Sequence, residues 1–302
     1  VPQGIGIRYS RDGIRILKVE MTGDGGFRIV GLTAGKNEGR LDEFSGTQGI
    51  ELGEAPCAIG LAPGDFIGAS FQREEEMDDS EMDEQLGWEI ERKLISPPSA
   101  YIFDRVMVND TGFIFAGRAN LLDGVLGSGI GYFVDVEPVA LYNGCERCGE
   151  TTGGSVILTS VEAEGITTVA VENGVPVAME SFPIHVEEIA GVLPILDRKG
   201  IETIDDSIIE RLVEHVYDSV VRLTGRAEGS GRVSPERLVV AGGGAYIGNI
   251  VEKIGSKTGL TAVLSDPFAS ASNDMREVHE ELSGMGAAFT TCFGLALRAM
   301  EV

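Results

Sequence analysis

Three consecutive glycines, Gly242-Gly243-Gly244, and Ala245 follow the apolar run 237–241, and the pattern predicts a helix at once after the glycines, with Ile247, Ile250, Val251 and Ile254 on one face. Such a strand-to-helix turn lets backbone N–H groups approach an anionic ligand, because glycine removes the Cβ that would hold it off. The same residues also make a tight turn that needs no ligand, and both readings stand. Cys145-x-x-Cys148 has metal-like spacing but no second pair, and His185, His215 and His279 are scattered. A structural zinc takes four ligands, so the expectation is no metal and ordinary thiols at a helix end. Cys57 and Cys292 fall in a strand and a helix, as small buried thiols do. Gly-x-Ser-x-Gly and His-Glu-x-x-His are absent. His215 adjoins Glu214, but adjacent helical residues do not face each other. No catalytic residue is nominated.

Carboxylates are the other conspicuous chemistry. Residues 74–91 hold ten of them and no Lys or Arg, while Met82, Leu86, Ile90 and Leu94 recur every four residues. This reads as an amphipathic helix stopped by Pro97-Pro98, with Ser80 and Asp83 as its N-terminal capping pair. Its acidic face is either solvated or a docking surface for a basic partner. Trp88, the single tryptophan, lies off the apolar stripe. It either packs as a flank on the next strand or anchors a partner peptide, as interface aromatics do.

The whole chain shares that acidity. Its 302 residues carry 24 Lys and Arg against 48 Asp and Glu, a net charge of −24. That argues against nucleic acid, whose binding needs a basic surface to release counterions, and against docking on anionic lipid. A 43% hydrophobic content excludes disorder as the main state, and the length suits two domains. The uncharged stretch 282–297 is shorter than a membrane span of about 20 apolar residues, so no insertion is expected. The N-terminus as given lacks a basic region followed by an apolar one, so no signal peptide is expected. Four cysteines are too few for a disulfide scaffold, and the cytosol is the simplest compartment.

The elements that position these residues fall into two similar sets. Segments 4–9, 14–20 and 27–32 read as a meander, followed by strands at 57–61 and 66–71, a hairpin at 100–108 and 112–118, a strand at 132–136 and a helix opened by Glu137-Pro138. The second set is a meander at 155–161, 166–172 and 175–180, its second turn being Asn173-Gly174. A helix at 206–223, strands at 237–241 and 261–265 and a last helix at about 285–300 complete it. The plan is mixed α/β with a duplicated core, although the halves share no evident sequence identity.

Several segments, in order, resemble the motifs of the actin-like type IV pilus assembly family PilM. Ile5-Gly6-Ile7 through Ile14-Arg15-Ile16-Leu17 is similar to its opening phosphate motif, and residues 82–92 to its characteristic helix. Val134-Asp135-Val136-Glu137-Pro138-Val139-Ala140-Leu141 resembles its link into the interdomain helix and is the most specific match. Val171-Glu172-Asn173-Gly174 with Phe182-Pro183-Ile184 resembles its second-domain hairpin, and Leu238-Val239-Val240-Ala241-Gly242-Gly243-Gly244-Ala245 its adenosine motif. Asp266-Pro267-Phe268 and the closing residues 293–298 fit as well.

The resemblance implies an actin-like (ribonuclease H-like) two-domain α/β fold. The first domain would be 1–150, with an inserted subdomain at about 72–130. The second would be 151–285, and 286–302 would be a helix returning towards the first. It implies a cytoplasmic protein, peripheral at the inner membrane, that binds the N-terminal tail of a single-pass PilN-like partner beside the inserted subdomain, among other platform proteins. The type II secretion protein GspL is related in role.

The phosphate hairpins depart from the family pattern. Each should begin with an Asp that manages Mg²⁺ and carry a glycine near the oxygens. Arg8 stands for the first Asp and Ser10 for its glycine; Ser160 stands for the second Asp and Glu162 for its glycine. Glu162 and Glu164 would bring like charge to a triphosphate, at a cost of about 4 kcal/mol for charges ~4 Å apart at an effective dielectric of 20. ATP and Mg²⁺ are therefore expected to bind weakly or not at all, with Gly242, Gly243, Gly244 and Ala245 a degenerate nucleotide site. Arg8 and Arg11 read as arginines of a solvated turn that could otherwise hold an anion. The expected function is a non-catalytic scaffold. The alternatives are a nucleotide-dependent actin-like ATPase or filament protein, or a sugar- or acetate-kinase-type enzyme. The chain as given ends at Val302 without the amphipathic extension usual in membrane-bound filament relatives.

Overall fold

The computed structural model describes residues 1–10, 13–35, 41, 50–53, 55–121, 132–184, 204–226, 234–270 and 284–301. The first sheet has the order β3-β2-β1-β4-β8, from β1 (Gln3–Tyr9), β2 (Ile14–Met21), β3 (Phe27–Gly35), β4 (Cys57–Leu61) and β8 (Tyr132–Val136). Its first three strands are antiparallel, and β4 and β8 continue it in parallel. The second sheet repeats that plan as β11-β10-β9-β12-β13, with β9 (Ser155–Glu162), β10 (Gly165–Glu172), β11 (Val175–Pro183), β12 (Arg237–Ala241) and β13 (Thr261–Leu264). The duplicated core is thus explicit in topology. Asn173 and Gly174 both have positive φ, 52° and 80°, as the two-residue β10–β11 turn demands.

Two helices lie between the sheets. These are α2 (Glu137–Arg147), which follows β8 without a break, and α6 (Gly286–Met300), the last helix. Leu141 and Cys145 of α2 pack on Val156, Leu158, Val169 and Val239 of the second sheet, while Phe289, Cys292 and Phe293 of α6 pack on Leu17, Val19 and Ile29 of the first. Gly6 of β1 allows α6 this close, since a Cβ there would run into the Cys292 carbonyl. The outer face of the second sheet is covered by α3 (Asp206–Arg226) and α4 (Ile250–Thr258), whose Leu212, Val216, Ile250 and Ile254 are fully buried. A one-turn helix, α5 (Pro267–Ser270), follows β13.

A third, three-stranded sheet lies between β4 and β8 in sequence, with the order β5-β7-β6. It comprises β5 (Phe66–Gln72), β6 (Tyr101–Val108) and β7 (Thr111–Arg118), covered on one face by α1 (Asp79–Glu91). It begins upstream of the boundary expected near residue 72, because β5 pairs with β7 along its whole length. Met82, Leu86 and Ile90 are buried, as their spacing requires. The capping pair is not Ser80 with Asp83. Asp78 caps the helix, accepting from the Ser80 and Glu81 amides at 2.8 and 2.9 Å, and the Glu81 carboxylate accepts the Asp78 amide at 3.0 Å. The Asp-x-x-Glu spacing satisfies the first-turn donors two residues before Ser80 could. No helix among the described residues is long and apolar enough to cross a membrane.

Candidate functional site

The turns of the two equivalent hairpins, β1–β2 and β9–β10, meet between the sheets, and the strand register fixes what they present. Arg8 and Arg15 are cross-strand partners on β1 and β2, so both guanidiniums leave the same face. Like charges placed so would repel unless an anion lay between them. That anion is Glu162, at the end of β9. Its carboxylate accepts both Arg15 amino groups, at 2.6 and 2.7 Å, and lies 3.6 Å from Arg8 Nε. Arg8 Nη2 also donates to Glu164 at 3.0 Å and to Glu137, the first residue of α2, at 3.3 Å. Ser160 donates to the other Glu137 oxygen at 3.0 Å, and Arg15 closes the cluster with a bond to the Ala288 carbonyl at 2.9 Å.

Arg8, Arg15, Glu137 and Glu162 are each at most 4% exposed. The solvated-turn reading of Arg8 is therefore wrong: pairing across the sheets allows a guanidinium to be buried. Arg11 lies outside the described residues. The cluster holds three carboxylates against two guanidiniums, and the surplus charge is relieved at Glu137, the carboxyl that takes a proton most readily. Burial pushes its carboxyl up to about 7 against the pull of Arg8, with Glu162 and Glu164 adding to the rise. Burial would raise Glu164 too, but Arg8, with hydrogen bonds from Ser10 and Arg8, holds it down at about 2. Burial opposes the Arg8 charge, yet the three carboxylates raise its pKa above the ordinary arginine value.

Gly242, Gly243, Gly244 and Ala245 sit directly beside this cluster. Gly242 has φ 88°, and the next residues form a 3₁₀ turn, Gly243–Tyr246, before α4, where the sequence pattern suggests an immediate α-helix. The Gly243 amide, one that could have met a phosphate, donates to Glu162 at 3.2 Å. A Cβ on Gly243 would lie 2.8 Å from Arg15 Nη2, so the missing side chain makes room for the chain's own guanidinium. The space left among Arg8, Ser10, Arg15, Glu162 and Glu164 is about 10 Å³, that of about one water. A triphosphate with its metal does not fit these residues. Three carboxylates repel a polyphosphate, and two guanidiniums cannot ligate a metal.

A second, open space adjoins the first. A groove of about 930 Å³ runs between β4, the β5 margin of the third sheet and β11, lined by Leu61, Phe66, Ile67, Phe115, Met179 and Pro183 among others. Ser10 and Glu164 line both spaces. Asp65 faces the groove, its carboxyl raised by burial and by the nearby Glu164 charge. Trp88 is not among the groove residues; it is 56% exposed on α1. Cys145 is buried and Cys148 half-buried at the end of α2. Among the described residues no group of three or more His, Cys, Asp and Glu could hold a metal, and His185 and His279 lie outside them.

Arg15 and Glu137 were missed as site residues although both stand in quoted motifs. The turn spacing carried the signal for Arg15: pairing Ser10 with Gly13 puts residue 15 opposite residue 8. Glu137 needed the meeting of α2 with the second sheet, which no local pattern shows.

No family model and no curated protein sequence matches the chain. Solved structures do. A chain of the PilM–PilN type IV pilus biogenesis complex superposes with a TM-score of 0.68 at 18% identity, covering 99% of this chain and 99% of that one. A Bacteroides thetaiotaomicron protein with an actin-like ATPase fold and unknown function gives 0.51 at 11% identity, covering 93% and 95%. The Acidaminococcus fermentans (R)-2-hydroxyglutaryl-CoA dehydratase component A gives 0.50 at 12% identity, covering 100% and 98%. The fold is actin-like. The charged cluster fills the place between the β1–β2 and β9–β10 hairpins, and the groove flanks the third sheet, which is inserted between β4 and β8.

Proposed function

We propose that the chain is a non-catalytic actin-like scaffold of a type IV pilus, or type II secretion, inner-membrane platform, and that its groove takes the cytoplasmic tail of a PilN-like partner. The observation that carries this reading is the cluster of Arg8, Arg15, Glu137, Glu162 and Glu164, which joins the two hairpins by ion pairs where a nucleotide would otherwise join them. The groove supports it from the other side: it is open, largely apolar, and large enough for several residues of extended chain. In this reading the protein works in the cytoplasm and reaches the membrane through partners. Asp65 and Glu164 suit a tail that carries a basic residue.

Calorimetric titration tests the proposal, first with MgATP and then with the N-terminal tail peptide of a PilN-like protein encoded beside this one. The expected outcome is peptide binding without nucleotide binding. Ile67→Lys, at a half-buried β5 position in the groove, should weaken the peptide tenfold or more, about 1.4 kcal/mol. Tight MgATP binding with turnover would overturn the scaffold reading and favour an ATPase or kinase-type enzyme.

A further inference from the structure

The two margins of the third sheet differ. β5 borders the groove, whereas nothing among the described residues pairs with the outer edge of β6. Six of the eleven large apolar side chains left exposed among the described residues lie between 88 and 107, and four are on β6: Ile102, Phe103, Val106 and Met107. They alternate between both faces of the strand, so α1, which covers β5 and β7, leaves β6 overhanging. Edge strands are normally blunted by proline, lysine or a bulge. β6 has none of these, and its register with β7 runs unbroken from Tyr101 to Val108.

The charges on β6 are already engaged. Arg105 is paired with Asp83 of α1, and the Asp104 carboxylate accepts the Arg105 backbone amide at 2.8 Å. That last bond identifies the outward-facing amides. The Arg105 N–H points away from β7, and antiparallel alternation then turns those of Phe103 and Met107 the same way. The start of the strand agrees, since the Tyr101 amide bonds back to the Pro98 carbonyl.

We propose that the outer edge of β6 is a docking site for an extended, basic segment of a partner protein, which adds a fourth strand to this sheet. Backbone pairing would use the Phe103 and Met107 amides, and that of Arg105 once the partner's carbonyl displaces the Asp104 carboxylate, and alternate apolar side chains of the partner would cover Ile102 and Val106 or Phe103 and Met107. Charge chooses the occupant. Residues 66–118 carry twelve Asp and Glu against five Lys and Arg, so a second copy of this chain would bring two acidic subdomains together, whereas a Lys- or Arg-bearing strand is attracted. The site lies along Ile102–Met107, beyond Tyr101, the β6 residue that lines the groove.

The test uses two amidated peptides, one alternating Lys and Val and one alternating Glu and Val, with amide hydrogen exchange followed over residues 101–108 of the whole chain. The Lys-Val peptide should slow exchange there about tenfold at low salt and less at 0.5 M salt. The Glu-Val peptide should do nothing. Met107→Pro removes an outward amide without touching the β7 ladder and should abolish the slowing; Val106→Lys, which keeps the backbone intact, should do so by repulsion. Absence of slowing, equal slowing by both peptides, or slowing that survives both substitutions would overturn the proposal. Slowing that rises with protein concentration without peptide would assign the edge to a second copy and overturn it as well.

Discussion

The closed cleft and the open groove share a wall, yet they have opposite characters. In the cleft, five charged side chains from both halves of the chain pair with one another and leave about 10 Å³. In the groove, largely apolar strand residues border an open space of about 930 Å³. Ser10 and Glu164 border both places, yet only one of them is open. The difference teaches that charge can close a cleft between two sheets while apolar side chains leave one open. Arg8, Arg15, Glu137, Glu162 and Glu164 complete one another and join the halves by ion pairs.

The largest test of that comparison is Arg15→Met. Removing one partner of a buried pair strands the other charge, so stability should fall by about 3–5 kcal/mol, measured by urea unfolding. Arg15→Met combined with Glu162→Met removes both charges and should recover much of the loss. If Arg15→Met is as stable as the parent, the cleft is not held by its charges and the contrast with the groove collapses.

Acid and base should act on the cleft in opposite directions. Glu164 is held down at about 2, so its contribution is complete above the ordinary glutamate pKa near 4.5 and is lost as pH falls towards 2. That contribution is on the order of 3 kcal/mol. Glu137 is pushed up to about 7, so the folded state binds its proton more readily than the unfolded chain. Stability therefore rises as pH falls from above 7 towards 4.5. Asp135, which burial raises to about 6, acts in the same sense. Unfolding followed across pH should show a maximum near pH 5, and Glu137→Gln should flatten the alkaline side. An optimum at pH 8 in the parent chain would contradict this account of the surplus charge.

How much of this was legible in the sequence follows from how local each signal is. The strands, the Asn173-Gly174 turn and the helix start at Glu137-Pro138 are set by residues within a few positions of one another, and appear as read; the stripe of α1 holds for Met82, Leu86 and Ile90, but the helix ends at Glu91, before Leu94 and well before Pro97. The ordered series of motifs led to the actin-like fold. The cleft was half legible: the departures at Arg8, Ser160 and Glu162 from the family pattern were visible. What they form instead was not, because Arg8 meets Glu164 and Glu137 across separations of 156 and 129 residues. A buried ion pair between two sheets leaves no periodicity. The capping pair failed for a simpler reason, since an acidic run offers several cap spacings and geometry selects Asp78.

Restoring the anion site would sharpen the contrast further. Glu162→Gly would free the amino groups that Arg15 turns to Glu162, the Nε of Arg8 and the Gly243 amide at once, so inorganic tripolyphosphate should bind the variant and not the parent. At ten times its Kd it should add about 1.4 kcal/mol to the stability of the variant, read as a shift in the unfolding midpoint. A variant that folds but ignores tripolyphosphate would mean that the arginines turn to Glu137 and Glu164 instead.

The smallest expected effect belongs to Trp88. At 56% exposure, and outside both the cleft and the groove, it has little packing to lose. Trp88→Ala should change stability by less than about 0.5 kcal/mol, as substitutions at exposed positions usually do. It should also leave tail-peptide affinity unchanged, whereas Ile67→Lys should not. If Trp88→Ala weakens the tail peptide as much as Ile67→Lys does, the occupant must run out of the groove and over α1. The acidic outer face of that helix would then belong to the same interface as the groove, and the open region would be larger than its enclosed volume suggests.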